Sequence, residues 1–195
     1  MLDTAVELMQ EGVTPSVSDV AEAAEVSRAT AYRYFPNQAS LVDAVVAEAL
    51  GPILEWRRST DDAVAAVTDL LEFSMPRIDE FEATFRAALR LSLEQWARRR
   101  AGSLDEDAAI QRADRIRLLE DALSPLAGRL PPDRYERVLH ALAVLFGIEG
   151  CVVLKDVCRL EHRDAERLVI WAARALIGAA IAEHTEAGKE TGEPG

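Results

Sequence analysis

The apolar positions of this chain fall into two rhythms. Up to about Leu50 they come in short helical bursts. Leu2, Ala5, Val6, Leu8 and Met9 make the first burst, closed by Gly12. Val17, Val20, Ala21 and Ala24 make the second. Ser16 stands at its N-cap with Asp19 three residues on, the spacing of a capping box. The third runs from Arg28 to about Phe35, capped by Ser27 and stopped before Pro36. The fourth starts near Gln38, carries Leu41, Val42, Val45, Val46, Ala49 and Leu50, and is expected to end at Gly51-Pro52.

Beyond Gly51 the period persists and the helices lengthen. The spacing predicts helices over 60–75, 78–100, 107–123, 132–157 and 163–183. Their stops are Pro76, Ala101-Gly102-Ser103, Pro125 with Gly128, and Pro131-Pro132. Pro132 suits a first helical turn, where a missing N–H costs nothing. Residues 185–195 carry Gly, Glu, Lys and Pro with no apolar period and read as a disordered tail. The expected fold is all-α, with a small N-terminal helical domain over residues 1–45 and a larger helical body over 46–184. Composition agrees, since aromatics are 6% of the chain and β-branched runs are few.

Several classes of chemistry find no support. There is no nucleophile elbow, phosphate loop, metal triad or His–Cys pairing, so neither an enzyme nor a metal or other cofactor is expected. Cys151 and Cys158 lie seven apart in one predicted helix, roughly 10 Å between Cα atoms, too far for a disulfide. They read as buried small hydrophobes. The N-terminus lacks the basic flank of a signal peptide, and the longest apolar run, Ala141 to Leu154, is short and broken by Glu149. A cytoplasmic protein with no membrane partner is expected.

Residues 16–35 carry the most information. Two short helices joined by Glu25-Val26-Ser27 share an inner face of Val20, Ala21, Ala24, Val26, Ala31 and Phe35. Ala21 and Ala24 are small, as two closely crossing helices require. This is the layout of a helix-turn-helix, whose second helix can enter a DNA major groove. That helix exposes Arg28, Ala29, Thr30, Tyr32, Arg33 and Tyr34. Arg28 can reach guanine O6 and N7 in a bidentate contact, and Ala29 and Thr30 can meet base edges. Ser27, the two tyrosines and Arg33 can hold phosphates.

These residues carry a resemblance. Val17 to Leu41, and above all Val26-Ser27, Thr30, Tyr32, Tyr34-Phe35-Pro36 and Leu41 at their spacing, resembles the N-terminal DNA-binding region of TetR-family transcriptional regulators. The segment from Gly147-Ile148-Glu149-Gly150 to Val157 is similar to a recurrent stretch in some of those regulators. The resemblance implies a homodimeric, ligand-responsive repressor binding a palindromic double-stranded DNA operator. The N-terminal domain would be a three-helix DNA-binding domain, and the body would bind a ligand and dimerise. The positions it assigns to DNA contact are Ser16, Ser18, Ser27, Arg28, Ala29, Thr30, Tyr32 and Tyr34, with Arg33, Asn37 and Gln38 beside them.

Three departures qualify it. Gln38 stands where the family usually has a phosphate-pairing lysine. Glu25 stands where a turn glycine is common, a strain of about 1 kcal/mol if that site is left-handed. The first helix starts almost at Met1, so the basic N-terminal arm of many members is expected to be either absent or trimmed from this sequence. Over residues 1–45, two arginines face seven acids, a net −5 within a chain of net charge −12. Non-specific affinity rests on phosphate neutralisation, so it should be weak here, with a shallow salt dependence. A second reading follows from the same acidity: a helical ligand-binding or interaction protein with weak or lost operator binding.

In the body, the helices over 132–157 and 163–183 are the expected dimer surface. The last shows a wide apolar stripe with many small residues, from Ala165 to Ile181, although a stripe that only packs on its own protomer is the alternative. For a small, largely apolar effector the candidate lining is Phe73, Phe81, Phe85, Leu89, Trp96 and Phe146. Glu149 sits in the most apolar stretch between Gly147 and Gly150. Two roles are open to it: an ion pair with an arginine, or a polar anchor in that ligand site.

Overall fold

Backbone groups in an apolar segment must be paired, and in this chain helices pair them. A computed structural model describes residues 1–102 and 114–190. Ten α-helices fill the described part: α1 (Leu2–Gln10), α2 (Val17–Ala23), α3 (Arg28–Tyr34), α4 (Gln38–Leu54), α5 (Ala63–Glu80), α6 (Glu82–Arg100), α7 (Asp114–Leu123), α8 (Pro132–Leu145), α9 (Ile148–Val152) and α10 (His162–Glu190). No strand occurs among the described residues. No single described helix is long and apolar enough to cross a membrane.

The chain divides into two compact units, Met1–Pro52 with Arg77–Arg112, and Ile53–Pro76 with Ala113–Gly195. The first extends the domain expected to end at residue 45. Its core joins Ala5 and Met9 of α1, Val17, Val20 and Ala21 of α2, Ala31 of α3 and Leu41, Val42 and Val45 of α4. Ala87, Ala88 and Leu91 of α6 complete that core. Every one of these positions is at most 9% exposed. A pattern read along the first 45 residues does not show this, because the covering helix lies forty residues later.

The second unit packs α7 on α8 and α8 on α10. Leu118, Leu119, Leu123, Leu139, Leu142, Val169, Ala173 and Ile177 are buried in it. The Trp56 indole N–H donates to Asp69 Oδ2 at 2.8 Å, tying the approach to α5 onto α5 itself.

Four helix boundaries differ from the pattern's prediction. Helix α4 does not stop at Gly51-Pro52 but runs to Leu54, and α5 passes through Pro76 to Glu80. A proline inside a helix costs about 3 kcal/mol through a lost bond and a clash with the preceding turn. Ile53, Met75 and Ile78 are buried on either side, so the helical stripe offsets the cost. Both described passages between the two units fall directly after these prolines. Helix α10 continues to Glu190, into the segment expected to be disordered from residue 185. The rest of that tail, 191–195, lies outside the described residues, as does 103–113, which includes the start of the helix predicted from 107.

The fourth difference is a break. The helix predicted over 132–157 bends by 53° between α8 and α9. Gly147 there has φ 139° and ψ −176°, a region open essentially to glycine alone. The Arg115 side chain lies across it: a Cβ on Gly147 would fall 2.3 Å from Nη2. Arg115 Nη1 donates to the Ala143 carbonyl at 3.1 Å, one of the carbonyls the end of α8 leaves without a helical partner. Its Nη2 donates to Glu149 Oε2 at 2.6 Å. Gly150 is constrained too, since a Cβ there would lie 2.8 Å from the Leu145 carbonyl. After α9 the chain widens into a π-turn over Val153–Val157, and Arg159 takes a positive φ of 58° before α10 begins.

Gly147→Ala should therefore cost roughly 3 kcal/mol of stability, through a forbidden backbone region and a displaced arginine. A urea or thermal melt showing a loss below about 1 kcal/mol would refute this account of the break.

Candidate nucleic-acid interface

The two short helices are set by caps at each end. The Ser16 N–H donates to Asp19 Oδ2 at 2.8 Å, and the Asp19 N–H donates to Ser16 Oγ at 3.2 Å. This is the reciprocal capping box expected from the sequence. Ser27 accepts the Thr30 N–H at 3.1 Å, and its hydroxyl also pairs with the Thr30 hydroxyl at 2.8 Å. Asn37 repeats the device for α4: its Oδ1 accepts the Ser40 N–H at 2.8 Å.

The turn between α2 and α3 closes as a Schellman motif. The Val26 N–H donates to the Ala21 carbonyl at 2.9 Å and the Glu25 N–H to the Glu22 carbonyl at 3.1 Å. Glu25 is left at φ 54°, the left-handed conformation that favours glycine. The turn geometry wins over the residue's own preference because both flanking helices are anchored in the core.

On α3 the one buried residue is Ala31. Arg28, Ala29, Tyr32, Arg33 and Tyr34 are exposed and Thr30 is half-buried. Tyr32 and Tyr34 are 46% and 63% exposed, a heavy display of aromatic surface for a seven-residue helix. The Tyr32 hydroxyl lies 3.3 Å from Ser18 Oγ, so a residue of α2 orients it. The Arg33 guanidinium sits 5.4 Å from the centre of the Tyr34 ring. The structure thus brings Ser18, Tyr32, Arg33 and Tyr34 to one outer surface, with Ser16 and Ser27 at the helix starts.

Gln38 is placed otherwise. Its amide nitrogen donates to the Thr14 and Pro15 carbonyls, at 3.3 and 3.1 Å. The donors that could meet a phosphate are spent holding the α1–α2 loop, and the remaining amide oxygen would repel one. Only the folded loop reveals this use, because the partners stand more than twenty residues earlier.

The effector residues are not gathered within one unit. Phe81, Phe85, Leu89 and Trp96 belong to the first and Phe73, Phe146 and Glu149 to the second. Phe81 is buried with the Arg77 guanidinium 3.9 Å from its ring centre, so that face is occupied. Phe85 and Phe146 are buried, and Leu89 is half-buried. Phe73 and Trp96, expected to line an apolar site, are 50% and 62% exposed instead. Glu149 has an arginine partner, Arg115, on a helix the sequence could not assign to it. Cys151 is buried as expected, whereas Cys158 is exposed.

Comparison with known proteins agrees with this geometry. Residues 1–45 match the family of bacterial regulatory proteins described as the tetR family. No curated protein matches the chain. Among solved structures, a tetR-family transcriptional regulator from Streptomyces coelicolor superposes with a TM-score of 0.70. It is 22% identical, with 96% of this chain and 83% of that one covered. A TetR transcriptional regulator from Rhodococcus sp. RHA1 superposes at 0.59 and is 23% identical, covering 90% of this chain and 92% of that one. At such identities these two establish the all-helical fold. The first 45 residues thus match the tetR-family helix-turn-helix region, and the whole chain shares the all-helical fold of these two regulators.

Two outcomes test the local physics. Glu25→Gly should raise stability by about 0.5–1 kcal/mol by removing left-handed strain, while Glu25→Ala should not; equal urea midpoints for the two variants would contradict this. Asp19 is held below its ordinary value of 3.8, first by the Ser16 N–H, then by the Ser16 hydroxyl, with Arg28 adding attraction. A carboxyl with a depressed folded value stabilises above its unfolded value and loses that stabilisation as pH falls through the folded one. The stability gap between wild type and Asp19→Asn should thus hold at neutral pH and close below about pH 4. A gap that persists at pH 2 would remove the capping carboxylate from the account.

Proposed function

We propose that the protein is a ligand-responsive repressor that binds a palindromic DNA operator as a homodimer. The observation that carries this is the outer face of α3, where Arg28, Ala29, Tyr32, Arg33 and Tyr34 stand exposed on a helix anchored by Ala31 alone. Arg28 reads guanine, Ala29 and Thr30 meet neighbouring base edges, and Ser16, Ser18, Ser27, Tyr32, Arg33, Tyr34 and Asn37 hold the phosphates. Gln38 serves this surface from behind by fixing the α1–α2 loop.

Two copies joined through α8 and α10 set the two α3 helices at half-sites about 34–36 Å apart. Exposed Trp171 and Leu168 on α10 support that face as the joint. The effector is small and largely apolar. Its binding favours a body conformation in which the half-site spacing is lost. Helix α4 transmits the change, being the continuous element that leads out of the helix-turn-helix.

The test is a titration of the DNA flanking the protein's own gene, with fluorescence anisotropy as readout. Sequence-specific binding is expected, with a log K against log salt slope shallower than about −8, because few cations are available to displace counterions. Arg28→Ala should cost about 1–3 kcal/mol and relax the preference at one base pair. Absence of specific binding at low salt would overturn the repressor reading and favour a helical ligand-binding or interaction protein.

A further inference from the structure

Helix α4 packs on the helix-turn-helix at one end and leaves the first unit at the other. Its Leu41, Val42 and Val45 belong to the core shared with α1, α2 and α3. Pro52 stands inside its last turns, and the chain leaves the unit there. Pro52 has no N–H to donate back to the Glu48 carbonyl, and its ring crowds that carbonyl. Pro76 does the same to the Glu72 carbonyl in α5, and the chain returns to the first unit at the next residue, Arg77. Helices bend most readily at such prolines. The first departure from the unit and the first return to it thus both fall at weakened turns.

Arg77 fastens the two together. Its Nε donates to the Ala49 carbonyl of α4 at 3.1 Å, three residues before Pro52. Its Nη1 donates to Glu80 Oε2 at 3.1 Å, and the guanidinium lies 3.9 Å from the centre of the Phe81 ring. Ala49 and Phe81 are buried, and the Arg77 side chain is itself only 25% exposed. The Glu80 carboxylate stands largely in solvent and adds little. The carbonyl bond and the ring contact hold the side chain. A planar guanidinium can make both at once, whereas a lysine ammonium is a single point charge. Phe81 leads into α6, whose Ala87, Ala88 and Leu91 complete the core around α1. Through Arg77, the outgoing end of α4 is therefore tied back to the same core as its first turns.

We infer that Arg77 is a positioning residue for operator binding: it clamps the outgoing end of α4 to the junction of α5 and α6, and so holds the helix-turn-helix in one orientation on the two proline-weakened connections that carry it. This rests on the homodimeric operator reading proposed above. In such a dimer each α3 must meet its half-site at a set separation. Without the clamp, the two proline turns let α3 depart from that setting. A contact at two half-sites then suffers, and a contact at one half-site does not.

Fluorescence anisotropy with two duplexes tests this. One is the operator from the DNA flanking the protein's own gene, and the other is the same duplex with one half-site scrambled. Arg77→Met should weaken binding to the intact operator about tenfold and leave binding to the single half-site unchanged. Helical content by circular dichroism should stay the same. In the DNA-free protein, hydrogen exchange should speed up in the last turns of α4 and not in α3. Arg77→Lys should show the same selective loss at smaller size, and it stands in if the methionine variant does not fold. The slope of log K against log salt should not change, because Arg77 meets no phosphate. A slope shallower by about 1.8, two lost phosphate contacts per dimer, would make Arg77 a direct DNA contact and overturn the inference. Equal losses on both duplexes, or a loss on neither, overturn the positioning role while leaving operator binding by the wild type intact. Absence of sequence-specific binding by the wild type overturns both.

Discussion

Helices of seven and nine residues do not hold themselves together in water, because nucleation costs more than so few backbone bonds return. The DNA-reading part of this protein consists of three such helices, α1, α2 and α3. They exist because they share one core with α4, and because α6, packed on α1, adds Ala87, Ala88 and Leu91 to that core. Every outward feature of α3 depends on that burial. With Ala31 as its sole buried residue, the helix can present nearly its whole circumference. The unfavourable φ of Glu25 is tolerated for the same reason, since both ends of the turn are fixed by packing.

The second unit meets a different demand. A long apolar helix is broken between Leu145 and Ile148, which leaves carbonyls without helical partners. Arg115 answers by donating to Ala143 and to Glu149 with one guanidinium, whose planar fork suits two acceptors at once. That arrangement leaves no room for a side chain at Gly147. The acidic residue that looked costly within an apolar run is partnered because the run is bent there.

Electrostatics sets the character of DNA binding. With two arginines against seven acids in the first 45 residues, little of the affinity can come from charge alone. In the function proposed above contacts must then be placed well, and the side chains proposed to make them are held by their neighbours. Ser18 steadies Tyr32, Arg33 lies over Tyr34, and the caps at Ser16, Ser27 and Asn37 fix the helix starts. Gln38, the residue that departs from the family's lysine, is turned inward to the Thr14 and Pro15 carbonyls.

The sequence by itself determined the helical class, the caps at Ser16 and Ser27 and the exposed residues of α3 other than Thr30, which is half-buried. Each of these is a local matter of period, hydrogen-bond chemistry and a proline stop, decided within four or five residues. What only the tertiary structure decided depends on partners far along the chain. Helices α4 and α5 pass through Pro52 and Pro76 because buried residues on both sides outweigh a local breaker. The bend at Gly147 depends on Arg115, thirty-two residues earlier. Phe73 and Trp96 match the apolar period of their helices yet stand in solvent. Period gives the face of a helix, but burial is decided by whatever lies against that face, and no local pattern contains that information.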